Sequence, residues 1–309
     1  MKILIVGLGG VGGYNGGMLA RKYANNPDIQ VDFLVRGEHM LQIRKHGLKV
    51  IAETETFVAH PHLATDNASE IGIADYIVMC TKSYDLEQTI AQIKPCVGTH
   101  TVIMSLLNGV GIYPIIRSLL PDTEVWEGCT YIVGRKVEPG VVQSSGGVHD
   151  VFFGFQNTTS ERLLQMERIW QEAGIEAVFS PEILNVIWKK YFFISTTASL
   201  TSYFDVSFGA LLSDPHRKAT LVGMLSELLL IAQAEGIPAE QSWADRVLPW
   251  LERLPFATTS SMHTDFTNKY KTEVENLTGT AMRLAQKHDI DTPIYNKVYA
   301  ALSAKMEQR

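Results

Sequence analysis

The residues of this chain best able to do chemistry begin at its start. Gly7-Leu8-Gly9-Gly10-Val11-Gly12 places glycines in the spacing G-x-G-x-x-G, directly after the apolar run Lys2–Val6. A helix-like stretch through Met18-Leu19-Ala20 follows. The spacing has a mechanism. The first glycine permits a tight turn out of a strand, the second lets backbone approach a pyrophosphate, and the third allows close helix–strand packing. The N-terminus of the helix then attracts the phosphates. A dinucleotide is the implied ligand, and a tight βα turn without a ligand is the competing reading. A secretory leader is disfavoured, because the glycines interrupt the apolar run and no small-residue cleavage site follows cleanly.

Three further polar elements stand directly after short apolar segments. Arg36 follows Gln30–Val35, Thr81-Lys82 follows Asp75–Cys80, and Asn108-Gly109 follows Thr101–Leu106. In a parallel sheet, ligands lie beyond the carboxyl ends of the strands, so these elements are expected to converge on one crevice with the glycine loop. Arg36 bears on which dinucleotide binds. Asp32, about 20 residues past Gly12, is the rival group that would bond a ribose 2′-hydroxyl. It falls inside the strand, whereas Arg36 stands at its end, where a guanidinium suits a 2′-phosphate. The expected cofactor is therefore NADPH/NADP, against the alternative of a solvated surface arginine. Lys82 would supply charge to a phosphate or carboxylate, or be a plain surface lysine. The Asn108 amide would orient nicotinamide or substrate, or Asn108-Gly109 would simply make a left-handed turn.

The second half holds a lysine in an unusual setting. Ile183, Ile187, Lys190 and Ile194 recur at helical spacing in an almost wholly apolar segment. Lys189 points about 100° away and can be solvated. A lysine on a buried stripe is costly unless paired or functional, and desolvation would bring its pKa toward a range useful for proton transfer. A snorkelling lysine is the alternative. Farther on lie Ser260-Ser261-Met262-His263-Thr264-Asp265 and Lys271-Thr272-Glu273-Val274-Glu275. Thr272-x-x-Glu275 has the form of a capping box, which would place Glu273 in the first turn of a helix, favoured there by the helix dipole.

The elements that must position these groups follow from pattern. Short strands alternate with helices up to about residue 180: Lys2–Val6, Gln30–Val35, Asp75–Cys80, Thr101–Leu106 and Val125–Val133, with Asp85–Ile93 and Ile112–Leu119 as crossovers. Val137–Gln143 contains Pro139-Gly140 and reads as a turn joining two antiparallel strands. Beyond Ser180 only helices are expected: Ile183–Leu200, Pro215–Glu235, Gln241–Leu254, Glu273–His288 and Pro293–Met306. The expected fold is α/β, an N-terminal Rossmann-type doubly wound sheet over 1–180 and an all-helical domain over 181–309, with a cleft between them. The 309 residues suffice for two such cores. A net charge of −6 argues against a nucleic-acid partner. Cys80, Cys96 and Cys129 are odd in number and widely spaced, so they read as reduced thiols of a cytoplasmic protein. The longest apolar helix, Leu221–Ala234, is interrupted by Ser226, Glu227 and Gln233, so no membrane span is expected. His60-Pro61-His62 lacks a third ligand, so no metal is expected. His149 and His263 read as isolated, with histidine as a proton donor a minor alternative.

Taken in order, Gly7-x-Gly9-x-x-Gly12, Arg36, Thr81-Lys82, Asn108-Gly109, Trp188-Lys189-Lys190, Ser260-Ser261-Met262, Asp265, Thr272-Glu273 and Ile290-Asp291-Thr292-Pro293 resemble the ketopantoate reductase family over nearly the whole chain. The resemblance implies NADPH-dependent reduction of 2-dehydropantoate to (R)-pantoate, on the route to pantothenate and coenzyme A. It implies that Lys190 is the general acid on the ketone oxygen and that Glu273 binds substrate and aligns that lysine. Asn108 and Ser261 would line the substrate pocket, and Lys82 would lie near cofactor and substrate. A 2-oxo acid is the implied partner of a monomer or homodimer. Three positions depart from the family pattern, which commonly carries asparagine there: Ile194, Ala198 and Thr278. Ser195, Thr196, Thr197 and Ser199 could compensate only if they face the cleft. A reductase of a different 2-oxo acid, or a non-catalytic NADP sensor, are the other readings.

Overall fold

The computed structural model describes residues 1–155 and 157–308. The chain forms two compact units. The first comprises Met1–Leu107 with Ile112–Ile183, and the second comprises Asn108–Gly111 with the chain from Leu184 onward.

The first unit is a sheet flanked by helices. In chain order its elements are β1 (Lys2–Val6), α1 (Gly10–Tyr23), β2 (Gln30–Leu34), α2 (Gly37–His46), β3 (Leu48–Ile51), β4 (Thr56–Ala59), β5 (Leu63–Thr65), α3 (Ala68–Ile71), β6 (Tyr76–Met79), α4 (Leu86–Ile93), β7 (Val102–Ser105), α5 (Ile112–Leu119), β8 (Glu124–Glu138), β9 (Val141–Gly154), α6 (Glu161–Glu172) and β10 (Ala177–Phe179). The strands lie in the order β4-β3-β9-β8-β7-β6-β1-β2-β5, with β10 beside β9. From β5 to β8 every pairing is parallel. β8 and β9 form the antiparallel extension, joined at Pro139-Gly140. The central strands β6 and β7 are buried at every residue, as strands covered on both faces must be, and are apolar but for Ser105 at the end of β7. Asp32 is the exception in β2. It is 1% exposed and accepts from His62 Nδ1 at 2.9 Å, so its carboxylate is engaged within the fold.

The second unit is helical: α7 (Ile183–Phe204), α8 (Phe208–Ser213), α9 (Pro215–Ala234), α10 (Gln241–Asp245), α11 (Val247–Glu252), α12 (Ser261–Thr267), a π-helical turn (Glu275–Gly279) running into α13 (Thr280–Lys287), and α14 (Pro293–Glu307). None of its described residues forms a strand. Asp214 caps α9 by accepting from Arg217 N at 2.8 Å, with Pro215 at the first helical position. α14 is capped from outside: Glu227 on α9 accepts the backbone N–H of Ile294 and Tyr295 at 2.8 and 3.0 Å. Among the described residues, no helix is long and apolar enough to cross a membrane.

Several local expectations differ from the structure. The stretch expected as one helix over Gln241–Leu254 is broken at Arg246. β3, β4, β5 and β10 span three or four residues each, too short for a periodic signal, and α8 and α12 span only six and seven. The capping box is absent. The Thr272 hydroxyl points to Met306 Sδ at 3.1 Å, and Glu275 accepts instead from Tyr299 Oη at 2.6 Å and Arg283 Nη1 at 3.3 Å. Glu273 precedes the first helical turn, its carbonyl accepting from Leu277 N at 2.9 Å.

Close backbone approach explains Gly10 and Gly12 of α1. A Cβ at Gly10 would overlap the Gly134 carbonyl of β8, and one at Gly12 would overlap the Gly7 carbonyl. A Cβ at Gly9 would meet nothing within 4 Å. Glycine to alanine in a helix normally gains up to about 1 kcal/mol. Here Gly10→Ala should instead cost about 1–3 kcal/mol through overpacking, while Gly9→Ala stays within about 0.5 kcal/mol of the parent. Urea midpoints at constant m-value check this, and a stabilised Gly10→Ala protein would refute the packing argument.

Candidate functional site

In the first unit, the glycine loop lies at the point where the strand order turns back on itself. β1 has β2 on one side and β6 on the other, the arrangement in which open α/β sheets bind ligands. Gly7 has φ +89°, and a Cβ there would stand 2.9 Å from Thr81 N and 2.8 Å from Thr81 Cγ2. The loop therefore rests directly on the chain leaving β6, and Thr81-Lys82 belongs to the same crevice. Gly9 has no side chain to cap α1, and no acid occupies the first turn. The N–H groups of Gly10, Val11 and Gly12 thus lack intrahelical acceptors. With open space over Gly9, these donors fit a pyrophosphate. The site's fit to a dinucleotide stands on that open cradle.

Arg36 sits just beyond β2, in extended conformation at the cap of α2. Its side chain is 76% exposed and makes only a loose pair with Asp85, at 3.9 Å. It is available to an anionic group, whereas Asp32 is not. Lys82 is half-buried, between β6 and the 3₁₀ turn Ser83–Asp85.

His39 is a residue that sequence reasoning missed. It lies on α2, three positions after Arg36, and is 6% exposed. Gly140 N–H donates to its Nδ1 at 2.7 Å, which leaves Nε2–H to donate to the Leu8 carbonyl at 2.8 Å. The neutral ring thus ties the glycine loop to the β8–β9 turn. Burial lowers its pKa, against the pull of the Leu8 carbonyl, and Lys136 adds to the lowering. No spacing rule reveals this contact, because it joins residues 31 and 101 positions apart.

In the second unit, Lys190 is 9% exposed on α7, and its Nζ donates to Asn108 Oδ1 at 2.6 Å. Lys189 is exposed, with its ammonium 4.9 Å from the Trp243 ring. Lys190 is thus the buried lysine of the pair and Lys189 the exposed one, as the helical period implies. Asn108 belongs to the short loop 108–111, in which Gly109 takes φ +97°. Asn276 Nδ2 donates to the Asn108 carbonyl at 2.6 Å. Glu273 is 5% exposed beside the π turn. Ser261 is exposed at the first position of α12. Its neighbour Ser260 is the buried one, capping α12 through His263 N at 3.1 Å and bonding the Thr201 hydroxyl at 2.8 Å.

The histidines are not isolated. His263 bonds Thr259 Oγ1 at 2.6 Å and Asp205 Oδ1 at 2.7 Å, while His149 stacks on Tyr14 and bonds Ser144 Oγ at 2.6 Å. Among the described residues no group of His, Cys, Asp and Glu could hold a metal ion.

The hydroxyls near Ile194 and Ala198 are all occupied. Ser195 bonds the Leu277 carbonyl and Tyr295 Oη, Thr196 and Thr197 bond carbonyls one turn back, and Ser199 bonds Thr278 Oγ1 at 2.7 Å. All four are 1% exposed or less. They do not replace the missing amides. Ala198 lies in the apolar core, and Ile194 packs half-buried against it. On the face of α7 that carries Lys190, the next two turns present Phe193, Ile194 and Ala198, and a Thr197 whose hydroxyl is taken by the Phe193 carbonyl.

A doubly wound sheet with an open glycine cradle, and a helical unit holding a buried ammonium on an amide oxygen, are the parts of a nicotinamide-type oxidoreductase. The family model described as ketopantoate reductase PanE/ApbA matches residues 3–157, and its C-terminal counterpart matches 182–306. An uncharacterized oxidoreductase of Bacillus subtilis (strain 168), YkpB, is 30% identical over 303 residues, 98% of either chain. A 2-dehydropantoate 2-reductase of Halobacterium salinarum is 28% identical over 95% of either chain. The crystal structure of 2-dehydropantoate 2-reductase from Porphyromonas gingivalis W83 superposes with a TM-score of 0.86 at 34% identity, covering 98% of this chain and 99% of that one. The chain belongs to the ketopantoate reductase family and is an oxidoreductase of that family's type.

His39 yields a pH prediction. Its folded pKa lies below the ordinary histidine value of 6.5, so its stabilisation is fully present above that value and is lost as pH falls through the folded one. The stability of the parent minus that of His39→Gln, from urea titrations between pH 5 and about 8, should shrink as pH drops below 6.5. Parallel curves would show that the ring is not held neutral.

Proposed function

We propose that this chain reduces 2-dehydropantoate to (R)-pantoate with NADPH, in pantothenate and coenzyme A biosynthesis. The observation that carries the reading is the Lys190 ammonium, buried on α7 and held 2.6 Å from the Asn108 amide oxygen. When bound, NADPH supplies the hydride. As the carbonyl carbon is reduced, charge grows on its oxygen, and Lys190 both stabilises that charge and delivers the proton. Asn108 orients the ammonium, and with Ser261 and Glu273 it holds the 2-oxo acid. Gly7, Leu8, Gly9, Gly10, Val11 and Gly12 take the pyrophosphate, Arg36 pairs with the 2′-phosphate, and Lys82 adds positive charge nearby. The engagement of Asp32 with His62 supports NADP over NAD, since that carboxylate is not free for a ribose. Cys80, Cys96 and Cys129, none of them in a disulfide, suit a reducing, cytoplasmic setting.

A second reading, a reductase of a different 2-oxo acid, is favoured by the apolar face around Ile194 and Ala198. With Ser195, Thr196, Thr197 and Ser199 satisfied internally, that face offers no partner to a substrate hydroxyl. A 2-oxo acid with a branched alkyl chain would be the better match there.

NADPH oxidation over a panel of 2-oxo acids separates the two. The first reading expects the highest kcat/KM with 2-dehydropantoate, the second with an alkyl 2-oxo acid, and no turnover of any would sink both. Lys190→Ala should lower kcat by about 10²–10⁴-fold with NADPH affinity retained. Arg36→Ala should raise the KM for NADPH about tenfold or more, the worth of a charged hydrogen bond, and leave that for NADH nearly unchanged. Equal effects on both would remove Arg36 from the 2′-phosphate.

A further inference from the structure

We propose that Asn276 is a positioning residue for the proton donor, acting on Lys190 through Asn108. The inference rests on the reading of Lys190 as the acid. Its geometry lies wholly within the second unit. The Asn276 amide donates to the backbone carbonyl of Asn108 at 2.6 Å, and the side-chain oxygen of the same Asn108 receives the Lys190 ammonium, also at 2.6 Å. One residue thus has its backbone held by one partner while its side chain holds another.

The seat of this loop is unusually tight. A Cβ at Gly109 would stand 2.9 Å from both Nδ2 and Oδ1 of Asn276, and its three nearest atoms all belong to that side chain. A Cβ at Gly111 would stand 2.9 Å from Thr280 Oγ1. Asn276 and Thr280 are four positions apart, on one face of the helix, and receive the two glycines of the loop in turn. Asn276 lies within the π turn Glu275–Gly279, three residues after Glu273. Such turns recur at functional sites because they alter the aim of the side chains that follow. Asn276 is 9% exposed, and its amide has a specific acceptor.

The chemistry requires this rigidity. Misplacing a donor by about 1 Å can cost about 10²-fold in rate. Asn108 heads a short loop and cannot hold its own side chain still. The bond from Asn276 fixes its carbonyl, and the glycine contacts fix the turn behind it.

The test uses the whole enzyme and three variants. Asn276→Asp keeps the shape but loses the donor, Asn276→Ser keeps a shorter donor, and Gly109→Ala forces the loop off the amide. Expected for Asn276→Asp is a fall in kcat of about ten- to hundredfold, with the KM for NADPH within twofold of the parent and an altered pH profile of kcat. Asn276→Ser should recover part of that loss. The second readout needs no turnover. Lys190 should acylate several-fold faster in Asn276→Asp and Gly109→Ala than in the parent, scored by peptide mass spectrometry after brief treatment with acetic anhydride, with Lys189 as internal reference. If Lys190→Ala abolishes turnover while Asn276→Asp leaves kcat and Lys190 labelling unchanged, the positioning role is wrong and the function stands. If the parent reduces no 2-oxo acid yet labelling rises as expected, the acid role falls and the structural coupling survives. Loss of thermal stability without a change in labelling would reduce Asn276 to a packing residue and overturn the proposal.

Discussion

A buried ammonium must be given an acceptor, and much of the second unit is arranged around that requirement. Desolvating a lysine without a partner costs several kcal/mol, so a sequence that places one on an isoleucine stripe must provide for it elsewhere. The provision here is Asn108, 82 positions away in the chain and 2.6 Å away in space. That demand draws residues 108–111 into the helical unit although both flanking segments belong to the sheet. Glycine at 109 and 111 lets that loop seat against Asn276 and Thr280, and Asn276 holds the Asn108 carbonyl.

The first unit depends on a different constraint, the approach of backbone to backbone. α1 lies so near β8 and the β1 turn that Gly10 and Gly12 cannot carry a side chain, yet Gly9 faces open space. The two kinds of glycine share one motif and serve different ends. Gly10 and Gly12 fix the helix, and Gly9 leaves room for a ligand. His39 completes the loop by holding the Leu8 carbonyl with a neutral ring.

What could be read from the sequence followed the range of each interaction. β1, β2, β6, β7, the β8–β9 turn and the limits of α5 and α9 are encoded in local apolar runs, prolines and glycines, and they stand close to where the pattern places them. The burial of Lys190 and the exposure of Lys189 came from helical period alone. The capping box failed because Thr272 and Glu275 are drawn to Met306, Tyr299 and Arg283, partners supplied by later helices. His39 and Asn276 were invisible for the same reason, each defined by a contact with a distant backbone carbonyl. The hydroxyls that follow Lys190 resemble a polar surface when read in one dimension, but the fold turns all of them inward.

The central claim is that this chain couples hydride delivery from NADPH to protonation by Lys190 on a 2-oxo acid. It is tested most directly by single-turnover transfer of deuterium from NADPH labelled at the donated C4 position. The account predicts deuterium at C2 of the hydroxy-acid product with the parent enzyme, and transfer strongly slowed in Lys190→Ala although the labelled cofactor still binds. Tight NADPH binding with no deuterium appearing in any 2-oxo acid offered, or transfer equally fast without the Lys190 ammonium, would contradict it.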